Sequence, residues 1–428
     1  MDFNKIFKDK TMTPQEIAGR VTEGDRIFCA SKPDALFNAL YERYSEFTNV
    51  GVYMASVYAS NKLIRPECNG NIGFKSIFLG AVERAAIKNG RWVEYVGGHL
   101  SDTGRLVKNS IKPTKVWAQA SSMDENGDMY MGYSSYGAME AIESGAEVYL
   151  EINDALPVIY GECNRVNIRD VAGVTSLRTE IPDIPEMPSG PEDIKIAGYI
   201  LDRIEDGSTI QVGIGTVANA VCHGLLEKKD LGIHTELFVP AMVDLIEKGA
   251  VNNSKKTVLP GKTVMGFSIP EKRTCEFLDH NRDVEMHRIT WVNDAATIGQ
   301  NYKFVSINGC LAVDLWGQVY SEAIGPRMYS GCGGQYDFVR GCKLGGGQSF
   351  LAMHSVTKDH QSKITFGQPE GSIVTVLRGD TGSVVTEYGV ADLLFKPVSE
   401  KAKALIAIAH PDFRDELTYQ AKKYGLIY

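Results

Sequence analysis

The stretch "PEDIKIAGYILDRIEDGSTIQVGIGTVANAV", residues 191–221, decides the fold, because the chain has already run through the same order once. Residues 13–40, "TPQEIAGRVTEGDRIFCASKPDALFNAL", give a helix, an Asp/Gly-containing turn, a short apolar strand, a loop and a second helix. In residues 191–221 that order returns, with Gly207 answering Gly24 and Ile210 answering Ile27. The register holds across turn, strand and second helix, which points to duplication of one α/β unit. Chance likeness between two generic helix–turn–strand segments is the competing reading.

Between the copies stands "IPDIPEMPSGPEDI" from Ile181, with four prolines and a glycine in fourteen residues. Proline fixes φ and removes a donor, so this stretch is neither helix nor central strand. It sets a boundary between an N-terminal domain, 1–185, and a C-terminal domain, 186–428. On either side, short apolar runs alternate with helical patterns: "NVGVYMASVYA", "WVEYVGG", "KVWAQASS" and "AEVYLEIN", then "TIQVGIG", "LGIHTEL", "YKFVSING" and "SIVTVLRG". Runs of this kind suit strands covered on both faces. The fold class expected is α/β, with two similar open domains built on mostly parallel sheets.

Composition narrows the partners. A chain of 428 residues, 43% apolar and 23% charged, is that of a globular protein too long for one ordinary core. A net charge of -8 with no lysine- or arginine-rich run argues against nucleic acid. Eight cysteines without a CxxC pair or a Cys/His ligand spacing read as reduced thiols, and no metal is expected. The amino-terminal segment has no apolar signal region and no run reaches the length of a membrane span, so the expected location is cytoplasmic, off the membrane.

Chemistry enters where the copies differ. After its strand the first has "CASKPDAL"; the second has Gly213, Ile214 and Gly215, then Thr216 and Val217 opening a helix. Glycines there let backbone amides approach a phosphate or an oxyanion. Tight βα turns also use glycine for steric reasons alone, and neither a full GxGxxG nor a P-loop is present. The next strand, "LGIHTEL", carries Glu236 near its carboxyl end, the edge at which open α/β sheets bind ligands. At the matching place the first copy has Met54 and Ala55. A third loop, "MYSGCGGQYDFVRG" at 328–341, brings Gly331, Gly333 and Gly334. His234 shares Glu236's strand face and reads as a hydrogen-bonded core histidine. Glu387, in "VVTEYGVADL", is a rival carboxylate that reads as part of a structural turn into a helix. Cys332, between glycines, could be exposed enough to oxidise but lacks a partner histidine.

Together these segments resemble the acetyl-CoA hydrolase/transferase family of class I CoA-transferases, above all its 4-hydroxybutyrate and butyryl-CoA:acetate branches. The motifs are "AMEAIESGAEVYLEINDALPVIYG", "DGSTIQVGIG", "LGIHTE", "MVDLIEKGAV", "INGCLAVDLWGQVYSEAIG", "YSGCGGQYDFVRG", "VVTEYGVADL" and "ALIAIAHPDFRDEL", in order along nearly the whole chain. The resemblance implies an active site between two domains. It makes Glu236 the nucleophile that passes through an acyl-glutamyl anhydride to a glutamyl-CoA thioester, in a ping-pong exchange. It gives Asn293, with the Gly334 amide, an oxyanion-holding role. It implies coenzyme A binding by Gly213, Ile214, Gly215, Thr216, Val217, Gly331, Gly333, Gly334 and Lys358. The substrates implied are a short-chain acyl-CoA and a short carboxylic acid, with no tightly bound cofactor, in a homodimer or homotetramer. An acyl-CoA hydrolase using the same glutamate, and a non-catalytic CoA-ester binding protein, are the alternatives. Three departures stand out: Val239, Pro240 and Ala241 replace a Ser-Asp-Gly stretch, Lys363 replaces an arginine, and "SKPDAL" replaces a small, proline-rich segment.

Overall fold

Period-two burial explains the first sheet. In β1 (Arg26–Ala30) Phe28 and Ala30 enter one apolar cluster with Val116, Ala118 and Leu150. Ile27 and Cys29 enter another with Val52, Phe74 and Trp117. Both faces are therefore covered, as parallel sheets require. The computed structural model describes residues 1–55 and 59–428. With β2 (Val50–Met54), β3 (Ile72–Ser76), β4 (Val93–Tyr95), β5 (Lys115–Ala120), β6 (Glu147–Ile152) and β7 (Gly173–Ser176), the order is β4-β3-β2-β1-β5-β6-β7. Every neighbouring pair in it is parallel. The run expected over "NVGVYMASVYA" is strand only to Met54, and its residues 56–58 lie outside the described residues.

The second copy builds the same arrangement. Six strands of its eight-stranded sheet are β8 (Thr209–Val212), β9 (Gly232–Phe238), β10 (Phe304–Gly309), β11 (Gln348–Ala352), β12 (Ser383–Thr386) and β13 (Gly389–Asp392). They lie in the order β9-β8-β10-β11-β12-β13. The pairs are parallel except the β12–β13 hairpin. The likeness extends to single hydrogen bonds. Gly24 and Gly207 both stand at positive φ, +84° and +78°, where a side chain would be strained. Each donates its N–H over 2.9 Å to a carbonyl just before the next strand, Asn49 and Lys229. Gly51 and Gly232 then donate back to Asp25 and Ser208, again at 2.9 Å. Duplication explains these matched pairs; chance likeness does not.

Compact packing divides the chain into Met1–Ile184 with Met265–Thr290, and Pro185–Val264 with Trp291–Tyr428. A sequence boundary at 185/186 marks the first crossing only, for residues 265–290 return to the first unit. There His280 donates its N–H to the Val158 carbonyl at 2.8 Å, and Met286 to that of Tyr160 at 2.8 Å. Pairings this distant in sequence leave no local pattern. The strand expected over "SIVTVLRG" does not form. Val376 makes only an isolated bridge to Val319, and Ile373 and Leu377 are exposed, so the run lacks the two-sided cover of its neighbours. All eight cysteines are free, with Cys332 the one that keeps partial exposure. No helix among the described residues is long and apolar enough to cross a membrane.

Candidate active site

Glu236 is the fifth residue of β9, close to the strand's carboxyl end. Residues 232–235 of that strand are buried, and the chain turns directly into a helix after it. The first unit carries helix α1 (Asp34–Tyr41); the second carries α2 (Pro191–Leu201), α3 (Thr216–Leu225), α4 (Pro240–Glu247), α5 (Ala295–Gly299) and α6 (Gln335–Gly345). In α4 Pro240 takes the first helical position, where its missing N–H costs nothing, and Val239 and Ala241 are buried.

Three predicted residues converge. Asn293 donates from Nδ2 to Glu236 Oε2 at 2.8 Å. Its backbone is fixed from both sides. The buried His234 ring bonds the Val292 carbonyl through Nε2 at 2.8 Å, and Asp294 caps α5 by accepting from the Thr297 N–H at 2.8 Å. Gly334 is the N-cap of α6, and it touches both partners. A Cβ there would lie 1.7 Å from Glu236 Oε2 and 2.1 Å from Asn293 Nδ2. No residue but glycine fits, because real Cβ atoms do not approach heavy atoms so closely. The carboxylate thus sits against the amino end of an eleven-residue helix, an end that favours negative charge.

Electrostatics set the carboxylate's temper. Loss of water around it pushes the Glu236 carboxyl up to about 7. The Asn293 hydrogen bond lowers it and the charge of Asp337 raises it again. Asp337 is buried in the first turn of α6 and accepts from the same Asn293 Nδ2 at 3.2 Å. The sequence reading passed over this residue. An acid three positions into a helix ordinarily reads as a complement to the dipole, and its place directly after the glycine loop was the available signal.

The glycine loops lie at strand and helix ends of the second unit. Gly213 donates its N–H to the Ile307 carbonyl of β10 at 2.8 Å. Below it, Gln211 and Asn308 exchange two amide hydrogen bonds of 3.1 and 3.0 Å. Gly215 caps α3 without a side chain of its own to bond the first amides, and nothing lies within 4 Å of where its Cβ would be among the described residues. Ile214 is exposed, while Thr216 and Val217 begin α3 half-buried. Gly331 and Gly333 precede Gly334 in the loop before α6, where Gln335 accepts from the Ser321 hydroxyl at 2.6 Å and donates to the Gly309 carbonyl. Cys332 Sγ is not free to react at will: it lies 3.3 Å from the buried Glu322 carboxylate. Lys358 is exposed in the turn closed by Thr357 and Gln361, and no hydrogen bond or ion pair joins it to the Glu236 cluster among the described residues.

Glu387 does not lead into a helix, as expected, but lies in the turn of the β12–β13 hairpin. Its two oxygens accept from the Ser355 N–H at 2.9 Å and hydroxyl at 2.6 Å, a structural role. Elsewhere His360, His410 and Asp412 bring three ligand atoms within 4.8 Å. Asp412 already pairs with His360 at 2.9 Å, and the cluster stands at the amino end of helix Pro411–Lys423, whose dipole opposes a cation.

Residues 1–179 match the acetyl-CoA hydrolase/transferase N-terminal domain and residues 271–421 the acetyl-CoA hydrolase/transferase C-terminal domain. A succinyl-CoA:cyclohexane-1-carboxylate CoA transferase of Geobacter metallireducens is 36% identical over 99% of this chain and 98% of its own. A 4-hydroxybutyrate coenzyme A transferase of Clostridium kluyveri is 33% identical over 99% of this chain and 100% of its own. Among solved structures, RipA from Yersinia pestis superposes with a TM-score of 0.94 at 33% identity, covering 100% of both chains.

Proposed function

This chain belongs to the acetyl-CoA hydrolase/transferase family and is a CoA-transferase, and we propose that it works by a ping-pong exchange through Glu236. The observation that carries this reading is the convergence of a half-buried carboxylate, the Asn293 amide and the Gly334 end of α6. A Glu236 oxygen attacks the acyl carbonyl, the carbon–sulfur bond breaks, and the CoA thiolate leaves an acyl-glutamyl anhydride. The thiolate then attacks the glutamyl carbonyl and expels the acid as carboxylate, giving a glutamyl-CoA thioester. A second carboxylate runs the steps in reverse and departs as its own CoA ester. Each charge-bearing tetrahedral species is met by donors already in place, each worth about 3 kcal/mol of barrier when removed.

Coenzyme A is a substrate in this reading, lying along Gly213–Val217 and the 331–334 loop; Lys358 is exposed for an anionic end of it, and no tightly bound cofactor is required. The acids handled are short-chain carboxylates. Val239 and Ala241, buried three and five residues after Glu236, favour an apolar acid over a hydroxylated one. The enzyme works as a cytoplasmic homodimer or homotetramer.

Intact mass after incubation with acetyl-CoA and borohydride tests the mechanism. Wild type should show a mass change at one glutamate, and Glu236→Gln none; turnover in Glu236→Gln refutes the role. Rates with and without an acceptor acid separate transfer from hydrolysis: CoA release that ignores the acid means water is the acceptor. The acid preference is read from kcat/KM for butyrate against 4-hydroxybutyrate, and the apolar-pocket reading fails if the hydroxylated acid is preferred.

A further inference from the structure

The Asn293 side chain is fully buried, and its amide nitrogen lies between two carboxylates: Glu236 Oε2 at 2.8 Å and Asp337 Oδ2 at 3.2 Å. An amide NH2 has two hydrogens, so each carboxylate takes one. The amide oxygen, Oδ1, is buried without a hydrogen-bond partner among the described residues. It therefore does nothing to fix the group. An asparagine's terminal torsion is broad and nearly two-fold, so the aim of Nδ2 depends on what accepts from it.

We propose that Asp337 is a positioning residue for transfer, holding the Asn293 amide aimed at the Glu236 carboxyl during the stages in which Glu236 is acylated. This rests on the reading of Glu236 as the acyl acceptor. In the free enzyme both carboxylates orient the amide. Once Glu236 is an anhydride or thioester it has lost its charge and is a weaker acceptor. Asp337 then remains as the charged anchor, and a rotated amide would turn Oδ1, a repelling lone-pair group, toward the oxyanion. The main chain of Asn293 is held independently, by His234 on the Val292 carbonyl and by the Asp294 cap, so the side-chain torsion is the freedom Asp337 removes. Its seat is the first turn of α6, and the amino end of a helix favours an anion. One helix end thus carries both the Gly334 amide and the anchor of the second donor.

The test compares Asp337→Ala, Asp337→Asn and Asn293→Ala in the full chain with acetyl-CoA and an acceptor acid. Asp337→Ala should lose about 10- to 100-fold in kcat, with the KM for acetyl-CoA changed less than about twofold. Asp337→Asn should recover most of that loss, since its side-chain oxygen still accepts. The double variant Asn293→Ala/Asp337→Ala should be no slower than Asn293→Ala alone, which a merely structural aspartate would not produce. If Asp337→Ala does not fold, Asp337→Ser, too short to reach Asn293, takes its place with the same expectations. Wild-type kcat in the Ala or Ser variant, equal loss in the Asn variant, or additive loss in the double variant would overturn the proposal. Turnover in Glu236→Gln would instead overturn the reading of the nucleophile, and the two failures are told apart by that one variant.

Discussion

Among the described residues two carboxylates are pushed by burial to about 7, one in each unit, and they are held differently. In the first unit Glu151, on β6, is fully buried and both its oxygens are taken. Gln119 Nε2 donates to one at 2.8 Å, and the Ala35 N–H, in the first turn of α1, to the other at 2.6 Å. In the second unit α3 opens after Gly215, which has no side chain to cap it, and Glu236 keeps part of its surface open. The first copy thus fills a helix end with the Glu151 carboxylate, and Glu236 in the second copy accepts from a side-chain amide instead. A raised carboxyl pKa alone does not separate the two carboxylates; their partners and exposure do.

The comparison breaks most sharply at Gly334. Gly334→Ala should lower kcat by about 10² to 10³, the scale of a lost oxyanion donor, because the methyl group displaces both Glu236 and Asn293. Steady-state kinetics with circular dichroism checks that the loss is not unfolding. Glu151→Ala should do the reverse. It orphans the Gln119 amide and the Ala35 N–H and costs about 1–3 kcal/mol in chemical denaturation, with kcat per folded molecule within about twofold of wild type. A large kcat loss there with unchanged stability would erase the distinction.

A smaller effect sharpens it. Glu236 holds its proton to about 7 when folded and releases it near 4.5 when unfolded, so the native state binds more protons between those values. Stability contributed by this site is therefore lost as pH rises through that window. Glu236→Gln, which does not titrate, should gain about 2 kcal/mol over wild type at pH 8 and nothing at pH 4, read from denaturation midpoints. The smallest effect is kinetic. The acid limb of kcat/KM should bend near 7, where the nucleophile ionises, and Asp337→Asn should move it to lower pH by removing the charge that raises Glu236. A limb that stays fixed would separate the two carboxylates electrostatically.

Much of this was legible in the residues. Apolar strand runs, the 181–194 proline cluster and the returned Gly24/Gly207 register are local signals, and they set fold class and duplication. Glu236 and the Gly213–Gly215 loop were visible because one copy differs from the other. What stayed hidden depends on contacts far apart in sequence. Asp337 has meaning only once Asn293, 44 residues earlier, lies against it. The capping role of Glu151 needs Ala35, 116 residues away. "SIVTVLRG" has strand-like composition but not the cover, and composition does not report cover.

The return of residues 265–290 to the first unit also bears on the order in which the protein can be made. Synthesis proceeds from the amino terminus, and domains usually fold as they emerge. Here the first unit is not complete when Ile184 leaves the ribosome. Val158 and Tyr160 still await His280 and Met286, and the whole of 185–264 must be made first. The unit without Glu236 starts earlier, yet its last pieces arrive after Glu236 itself. A nascent chain is thus committed to making β9 before it can finish the unit that precedes it.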